Sequence, residues 1–380
     1  MTGLGVGIVG CGNIAETYLR LAPLYAGFKV RAVADIDMAA ARSRAGAFDV
    51  RALSVDDLLA AADIDIVVNL TVPSAHFDVS RHALEAGKHV YSEKPLVLAL
   101  DDGEALRKLS ASTGLRVGSA PDTFLGGAHQ AVRQLIDDGG VGRITGGTCH
   151  VMSGGMEAWH PNPDFFFQPG GGPILDMGPY YVTNLIQLLG PVVRVAAIGG
   201  RGFAERTIGS GPRAGQSVPV TTPTTVHALL AFQNGASVTL CASWDVRAHR
   251  HGPMELYGTD GTVYLRDPNF FGGTAQTDHG HGQVSLSDDG HPFAVANEGQ
   301  ADRRVANYRG AGLADMARAI VDDRPHRCSI ELALHAVDVM TGILASVESG
   351  GFVAMTTSCE RPDPLPPVEA ARLLAAHQQG

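Results

Sequence analysis

A doubly wound α/β sheet followed by an α+β half is the fold predicted, on three features of the chain. An apolar run from Leu4 to Val9 enters the turn Gly10-Cys11-Gly12-Asn13-Ile14-Ala15, and a second apolar strand ends at the acidic Asp35. Up to about residue 120, short apolar strands alternate with helical segments, the pattern of a parallel sheet with helical crossovers. After Pro121 the pattern changes to alternating extended segments joined by glycine-containing turns.

The elements follow in order. Leu4 to Val9 is almost unbroken and rich in branched residues, as a strand buried on both faces requires. In the Gly-x-Gly-x-x-Ala turn, Gly10 permits the tight bend and Gly12 lets a pyrophosphate approach the backbone. Ala15 lets the next helix pack closely on the strand. The start of that helix offers unpaired N–H groups and a positive dipole end to phosphates. Residues 28–35 form the second strand, 38–47 a helix, and Asp56 stands near the start of another. Residues 64–70 form a strand ended by Thr71-Val72-Pro73, and 76–86 a helix stopped by Gly87. A strand at 89–92, a helix at 101–112 and a strand at 116–120 complete this half.

In the second half, residues 132–138 read as a helix, 146–152 as a strand, and 153–175 as loop. A helix at 179–189 precedes strands at 226–232, 236–243, 254–257 and 262–265. Asn234-Gly235 and Asp260-Gly261 between these runs are hairpin signals. Residues 200–225 and 267–300 read as connections, and 329–347 as an amphipathic helix with Leu332, Ala336, Met340 and Ile343 on one stripe. The predicted architecture is a mainly antiparallel, open sheet with helices on one face. The domains expected are 1–121 for the dinucleotide, 122–360 for substrate and oligomerisation, and 361–380 as a C-terminal tail.

Composition narrows the function. The formal charge is −10, with 45% hydrophobic and 18% charged residues. Nucleic acid is excluded as a partner because its phosphates demand clustered Lys and Arg. Five well-separated cysteines form no CxxC pair, which suits free thiols in a reducing compartment. No apolar run is read as spanning a membrane, and the N-terminus enters a strand without a basic leader. A cytoplasmic protein is expected. His249 and His251, like His279 and His281, lack a carboxylate or cysteine at metal-site spacing, so no metal is expected.

Two strand ends carry candidate chemistry. Ser92-Glu93-Lys94-Pro95 follows an apolar strand, and a lysine at the mouth of a nucleotide site can orient a hydroxyl or stabilise an alkoxide. A solvated surface lysine is the plain alternative. In Gly170-Gly171-Gly172-Pro173-Ile174-Leu175-Asp176-Met177-Gly178-Pro179-Tyr180, Pro179 suits the first helical position. Asp176 then lies just before the helix and Tyr180 one turn on. Carboxylate, phenol and lysine make a proton-transfer set, whereas an N-terminal cap beside a packed aromatic is the structural alternative.

The dinucleotide turn, Thr71-Val72-Pro73-Ser74-Ala75-His76, Ala86-Gly87-Lys88-His89-Val90-Tyr91-Ser92-Glu93-Lys94-Pro95 and the Gly170–Tyr180 run occur in series. Together they resemble the Gfo/Idh/MocA oxidoreductases over roughly residues 5 to 350. The resemblance implies a Rossmann domain, a substrate domain on a large open sheet, a cis Lys94–Pro95 bond, and hydride transfer at a sugar or cyclitol carbon. It implies Lys94 as the catalytic lysine, Asp176 as the catalytic-site aspartate, and Tyr180 where the family most often has histidine. Asn184 stands where many relatives have a second aspartate. An ordinary phenol ionises near pH ~10, against near neutrality for histidine, so tyrosine leans towards donating a proton in carbonyl reduction. Cofactor contacts are implied at Gly10, Gly12, Asn13, Ile14, Asp35, Thr71, Pro73, His76, Glu93 and Lys94.

Asp35 would accept both ribose hydroxyls of NAD and repel the 2′-phosphate of NADP, and Ile36 follows it rather than an arginine. NAD is therefore expected over NADP. Substrate contacts are expected at Lys94, Asp176 and Tyr180, with His160 in the loop Trp159–Asp164, and with Asp122 and Thr123 as weaker candidates. The function expected is an NAD-dependent oxidoreductase of a sugar, cyclitol or related polyol, assembled as a homodimer or homotetramer. The alternatives are an NAD-assisted glycosidase with transient sugar oxidation, and a non-catalytic NAD- and sugar-binding regulator.

Overall fold

The computed structural model describes residues 3–300 and 304–376. Six parallel strands form the first sheet: β1 (Leu4–Val9), β2 (Phe28–Ala34), β3 (Arg51–Leu53), β4 (Ile66–Asn69), β5 (His89–Ser92) and β6 (Val117–Ser119). Their order is β3-β2-β1-β4-β5-β6. The order reverses beside β1, so a crevice opens at the carboxyl ends of β1 and β4, where such sheets bind ligands. Val6, Ile8, Val67 and Val68 are buried, as the unbroken apolar runs require. The crossovers are α1 (Asn13–Leu21), α2 (Met38–Phe48), α3 (Val55–Ala60), α4 (His76–Glu85) and α5 (Leu100–Thr113).

The chain leaves this sheet at a cis Ala120–Pro121 bond, and the Lys94–Pro95 bond is also cis. The second half contains α6 (Gly127–Asp137), β7 (Ile144–Met152), α7 (Gly172–Asp176), α8 (Gly178–Leu189) and β8 (Val192–Gly200). A two-stranded ribbon, β9 (Glu205–Thr207) with β10 (Ser217–Pro219), follows. Then come β11 (Thr225–Phe232), β12 (Ser237–Ser243), β13 (Met254–Gly258), β14 (Thr262–Leu265), β15 (Gln276–Asp278) and β16 (Gln283–Ser285). The last elements are α9 (Ala311–Asp322), α10 (Ile330–Ser349), β17 (Val353–Ala354) and α11 (Pro367–Leu373).

The second sheet has nine strands in the order β16-β15-β14-β13-β7-β12-β11-β8-β17, antiparallel except for β7 with β12. One face carries α8 and α10. On the other, Ile198, Leu229 and Phe352 are 80%, 52% and 67% exposed. The two predicted hairpins form, with Asn234 accepting from the Ala236 N–H in the turn between β11 and β12.

Several expectations need correction. The connections at 200–225 and 267–300 contain β9, β10, β15 and β16, three-residue strands too short for periodicity to reveal. The 361–380 tail contains α11, tied back by the Arg327–Glu369 ion pair and a Tyr25–Leu374 bridge; residues 377–380 lie outside those described. The 20-residue α10 is, among the described residues, long and apolar enough to cross a membrane, contrary to the sequence reading. It is instead a core helix. Ser329 caps it by accepting from Leu332 N, and Asp338 inside it accepts from the Thr356 and Thr357 backbone N–H groups. Helices α9 and α10 also return to pack on β6.

Candidate active site

The turn after β1 behaves as its spacing predicts. Gly10 has φ 101°, and a β-carbon there would lie 2.6 Å from the Leu70 carbonyl group, so only glycine fits. Gly12 differs: its φ is −71° and an added β-carbon meets nothing within 4 Å. Nothing in the chain itself demands glycine there; the space is of the kind a pyrophosphate would fill. Gly12→Ala is therefore expected to leave the unfolding transition in place and to weaken dinucleotide affinity at least tenfold, roughly 1.4 kcal/mol, as titration of NADH fluorescence would report.

Asp35 is fixed beside this turn. Its Oδ2 accepts from Cys11 N at 2.7 Å and its Oδ1 from Asp37 N at 2.9 Å. The residue after it, Ile36, is almost fully exposed. Asn13 begins α1, and the Ile14 side chain packs on the core. Arg44 reaches the turn from α2, and its guanidinium donates to Glu16 Oε2 at 2.8 Å and to the Gly12 carbonyl at 3.2 Å.

Across the crevice, Thr71 Oγ1 donates to Asn69 Oδ1 at 2.7 Å, and Pro73 opens the short turn before α4. His76 follows at the start of α4. It is 1% exposed, with ring nitrogens 2.7 Å from the Pro95 carbonyl and 3.0 Å from the Thr71 carbonyl. Burial lowers its pKa against the opposing pull of the two carbonyls, and the ring sits between the loops at 71–73 and 93–96. Glu93 accepts from the Tyr18 hydroxyl at 3.0 Å and from Lys94 N at 3.0 Å.

Lys94, Asp176 and Tyr180 come together from the two halves of the chain. The Lys94 ammonium, just beyond β5, donates to Asp176 Oδ1 at 2.9 Å and to the Asp176 carbonyl at 2.8 Å. It lies 5.2 Å from the centre of the Tyr180 ring. Asp176 closes α7 instead of preceding a helix as a cap, while Tyr180 stands in the first turn of α8, 9% exposed. Burial opposes the ammonium form of Lys94, but attraction from Tyr180, Asp176 and Glu93 outweighs it and raises the lysine pKa. The lysine therefore stays a cation through the physiological range.

Asp122 is not positioned as a substrate contact. It is 1% exposed, and its Oδ2 accepts from the backbone N–H groups of Gly310 and Gly312 at 2.8 and 3.0 Å, holding the start of α9. Burial, with repulsion from Glu93, raises its pKa to about 6 against the opposing pull of those N–H groups and Arg309. An unfolded aspartate titrates near ~3.9. Between these values the folded chain binds the proton more tightly, so this group's contribution to stability falls as pH rises from about 4 to about 6. The stability of the wild type relative to Asp122→Asn should drop across that window by about 2–3 kcal/mol, measured by urea unfolding at both ends.

His160 joins an aromatic cluster with Trp159, Phe165 and Phe166, its ring centres 5.3–5.6 Å from theirs. Asn184 is fully buried, accepts from Gln187 and packs beside His129 Nδ1, so it belongs to the core. His129, held neutral by burial with its pKa lowered to about 4, donates from Nε2 to the Phe270 carbonyl.

One residue was invisible to sequence reasoning. Arg309 lies in an irregular stretch ahead of α9, without periodicity or motif. Its guanidinium donates to Asn269 Oδ1 at 2.9 Å, to the Asn269 carbonyl at 3.3 Å and to Asn307 Oδ1 at 3.3 Å. Burial opposes its charge, but Tyr180, Asp122 and Glu93 together raise its pKa. Among the described residues, no group of three or more His, Cys, Asp and Glu side chains is arranged to hold a metal ion.

Comparison with known proteins adds a lineage to this geometry. Residues 4–120 match the profile described as "Oxidoreductase family, NAD-binding Rossmann fold", and residues 129–264 that of the "GFO/IDH/MocA C-terminal domain". The chain is similar to an inositol 2-dehydrogenase of Rhizobium meliloti (strain 1021), 33% identical over 36% of this chain and 42% of that protein. It is also similar to a 1,5-anhydro-D-fructose reductase of Ensifer adhaerens, 26% identical over 56% of this chain and 60% of that enzyme. Both relatives are thus matched over less than two thirds of their own length. The crystal structure of an NAD binding oxidoreductase from Klebsiella pneumoniae shares the fold, with a TM-score of 0.79 at 22% identity over 94% of this chain and all of that one.

Proposed function

Since the chain belongs to the Gfo/Idh/MocA oxidoreductase family, we propose that it is an NAD-dependent oxidoreductase acting at a CHOH/C=O carbon of a sugar, cyclitol or related polyol. The observation that carries this reading is the Lys94–Asp176 pair at 2.9 Å with the Tyr180 ring beside it, beyond the carboxyl end of β5. When bound, the nicotinamide supplies or accepts the hydride. Gly10, Gly12 and the N-terminus of α1 would hold its pyrophosphate, and Asp35 its adenosine ribose.

Lys94 holds the reacting oxygen by an N–H donor and stabilises negative charge on it. Asp176 fixes where that ammonium points, because both of its bonds to Lys94 come from one residue. In the reducing direction Tyr180 gives its proton to the oxygen; in the oxidising direction it takes one. Paired charges in a crevice walled by Tyr180 suit a polyol, whose faces are apolar and edges polar.

NAD is preferred to NADP on this reading. The Asp35 carboxylate repels a 2′-phosphate, and Arg44, the nearby cation, is already engaged by Glu16. The five cysteines are all free and buried among the described residues, which suits the reducing cytoplasm. Two copies pair through the uncovered sheet face, where Ile198, Leu229 and Phe352 border a hollow of about 680 Å³. Leu229→Glu is then expected to convert a dimer or tetramer to smaller species in sedimentation, whereas a wild type already monomeric rejects the pairing.

The function is tested with a panel of sugars, cyclitols and their keto forms, followed at the nicotinamide absorbance with NAD and NADP. Turnover with at least one polyol and net NADH formation are expected. Tight NAD binding with no turnover of any compound would overturn the reading.

A further inference from the structure

The hollow on the uncovered face of the second sheet is lined by three histidines that the proposed chemistry does not use. His150 on β7, Cys241 on β12 and His227 on β11 are register partners across three neighbouring strands. Their side chains therefore form one row on one face. Cys241 Sγ lies 3.2 Å from His227 Nδ1. The third histidine, His251, comes from the loop after β12 and stacks on His150. The two ring centres are 4.1 Å apart and the planes 12° from parallel. His249 continues the stack, 6.2 Å from His251. The Nδ1 atom of His150 is buried and has no hydrogen-bond partner among the described residues.

A second copy of the chain suits this face for a reason of charge. A two-fold interface sets one patch against itself, so any net charge on the patch meets its own sign. Among the described residues, no Asp, Glu, Lys or Arg lines the hollow. The charged neighbours lie outside it and have opposite signs. Glu255 on β13 pairs in register with Thr148, two residues from His150 on the same face. On β8, the Arg194 guanidinium lies over the Phe352 ring, 5.2 Å from its centre. The patch is thus self-complementary only while its histidines are neutral.

Resting on the pairing of copies read above, we propose that protonation of His150, His227 and His251 opens the contact between the two chains, so that assembly follows pH. Two stacked imidazolium rings repel, and a closed face excludes the water and salt that would screen them. The paired form therefore binds fewer protons than the separate chains, and acid favours the separate chains. Burial, with repulsion from His251 and His249, already lowers the His150 pKa, against the opposing pull of the Gly252 backbone and Glu255. The charge of the whole chain acts in the other sense. Acid brings the formal charge of −10 towards zero and weakens general repulsion between copies. Dissociation in acid would run against that trend and report on this patch.

Sedimentation of the full chain over a dilution series, at about pH 8 and about pH 5.5, tests the proposal. The dissociation constant of the pair should rise about tenfold or more at the lower pH. The triple variant His150→Gln/His227→Gln/His251→Gln should pair equally well at both. His251→Arg, which fixes a charge at the stack, should weaken pairing at the higher pH without any acid. His227 and His251 are exposed. The double variant His227→Gln/His251→Gln therefore carries the comparison if the triple variant shows no cooperative unfolding transition, and its rise should be smaller than that of the wild type.

A wild-type dissociation constant that does not change with pH would overturn the proposal, as would a rise that the glutamine variants share in full. Urea unfolding at the lower pH should remain cooperative; a chain already unfolded there would owe its dissociation to unfolding, which also overturns it. A wild type that is monomeric at both pH values removes the pairing of copies, and this proposal with it. Equal pairing at both pH values removes this proposal alone.

Discussion

Lys94→Met is expected to lower kcat by about a thousandfold in either direction while NADH affinity stays within about twofold. Methionine keeps most of the side-chain volume but provides no donor, so the reacting oxygen loses the group that stabilises its charge. The loss should fall on kcat because the interaction strengthens as negative charge develops. Lys94→Arg should not rescue it. The ammonium meets Asp176 Oδ1 at 2.9 Å and the Asp176 carbonyl at 2.8 Å, a geometry made for a compact head. The larger planar guanidinium would push against the Tyr180 ring. Steady-state kinetics on the best substrate of the polyol panel, with fluorescence titration of NADH, checks both substitutions. A Lys94→Met protein with unimpaired turnover would remove the lysine from the mechanism and favour a binding role for the chain.

Much of this arrangement was legible in the sequence because its carriers are local. The strand at 89–92 was bounded to the residue, since Gly87 stops the helix before it and the charged Glu93 follows it. The Gly10–Gly12 turn was legible because backbone geometry and ligand approach both restrict residue type within a few positions. Lys94, Asp176 and Tyr180 could be singled out because each stands in a short segment of restricted composition. Helix α9 was missed: its Ala311-Gly312-Leu313-Ala314-Asp315 start is buried all round, and a glycine and an aspartate stand among its buried positions. Asp122, read as a weak substrate candidate, secures that same helix. What decides its role is the presence of Gly310 and Gly312, which no local pattern connects to residue 122. Arg309 was missed for the same reason: its partner Asn269 is brought to it only by the completed fold. The carbonyl partners of His76 were not legible either, because a histidine after Thr71-Val72-Pro73 looks identical in sequence whatever its ring nitrogens meet.

Asp176→Asn is expected to reduce kcat by about a hundredfold at neutral pH and to add an alkaline limb to the rate profile that the wild type lacks. The amide keeps the size of the carboxylate, and the backbone carbonyl of residue 176 still accepts from Lys94, so the lysine remains near its place. What disappears is the negative charge. Burial alone pushes the lysine towards its neutral form, and Tyr180, Asp176 and Glu93 reverse that push. Removing Asp176 from this balance lowers the lysine pKa, never raises it, because an attraction to the charged form is lost while the burial penalty stays. A lysine that loses its proton no longer stabilises charge on the substrate oxygen, so activity should fall on the alkaline side where the wild type still holds its rate. The acid side should be unaffected, since the lysine is fully protonated there in both proteins. Rate profiles of kcat for the two proteins, with NADH binding measured in parallel, decide the matter. An Asp176→Asn enzyme whose profile keeps the wild-type shape at reduced height would mean that the carboxylate orients the lysine without tuning its charge. An unchanged rate would show that the Lys94–Asp176 ion pair, 2.9 Å long, does no work in the reaction.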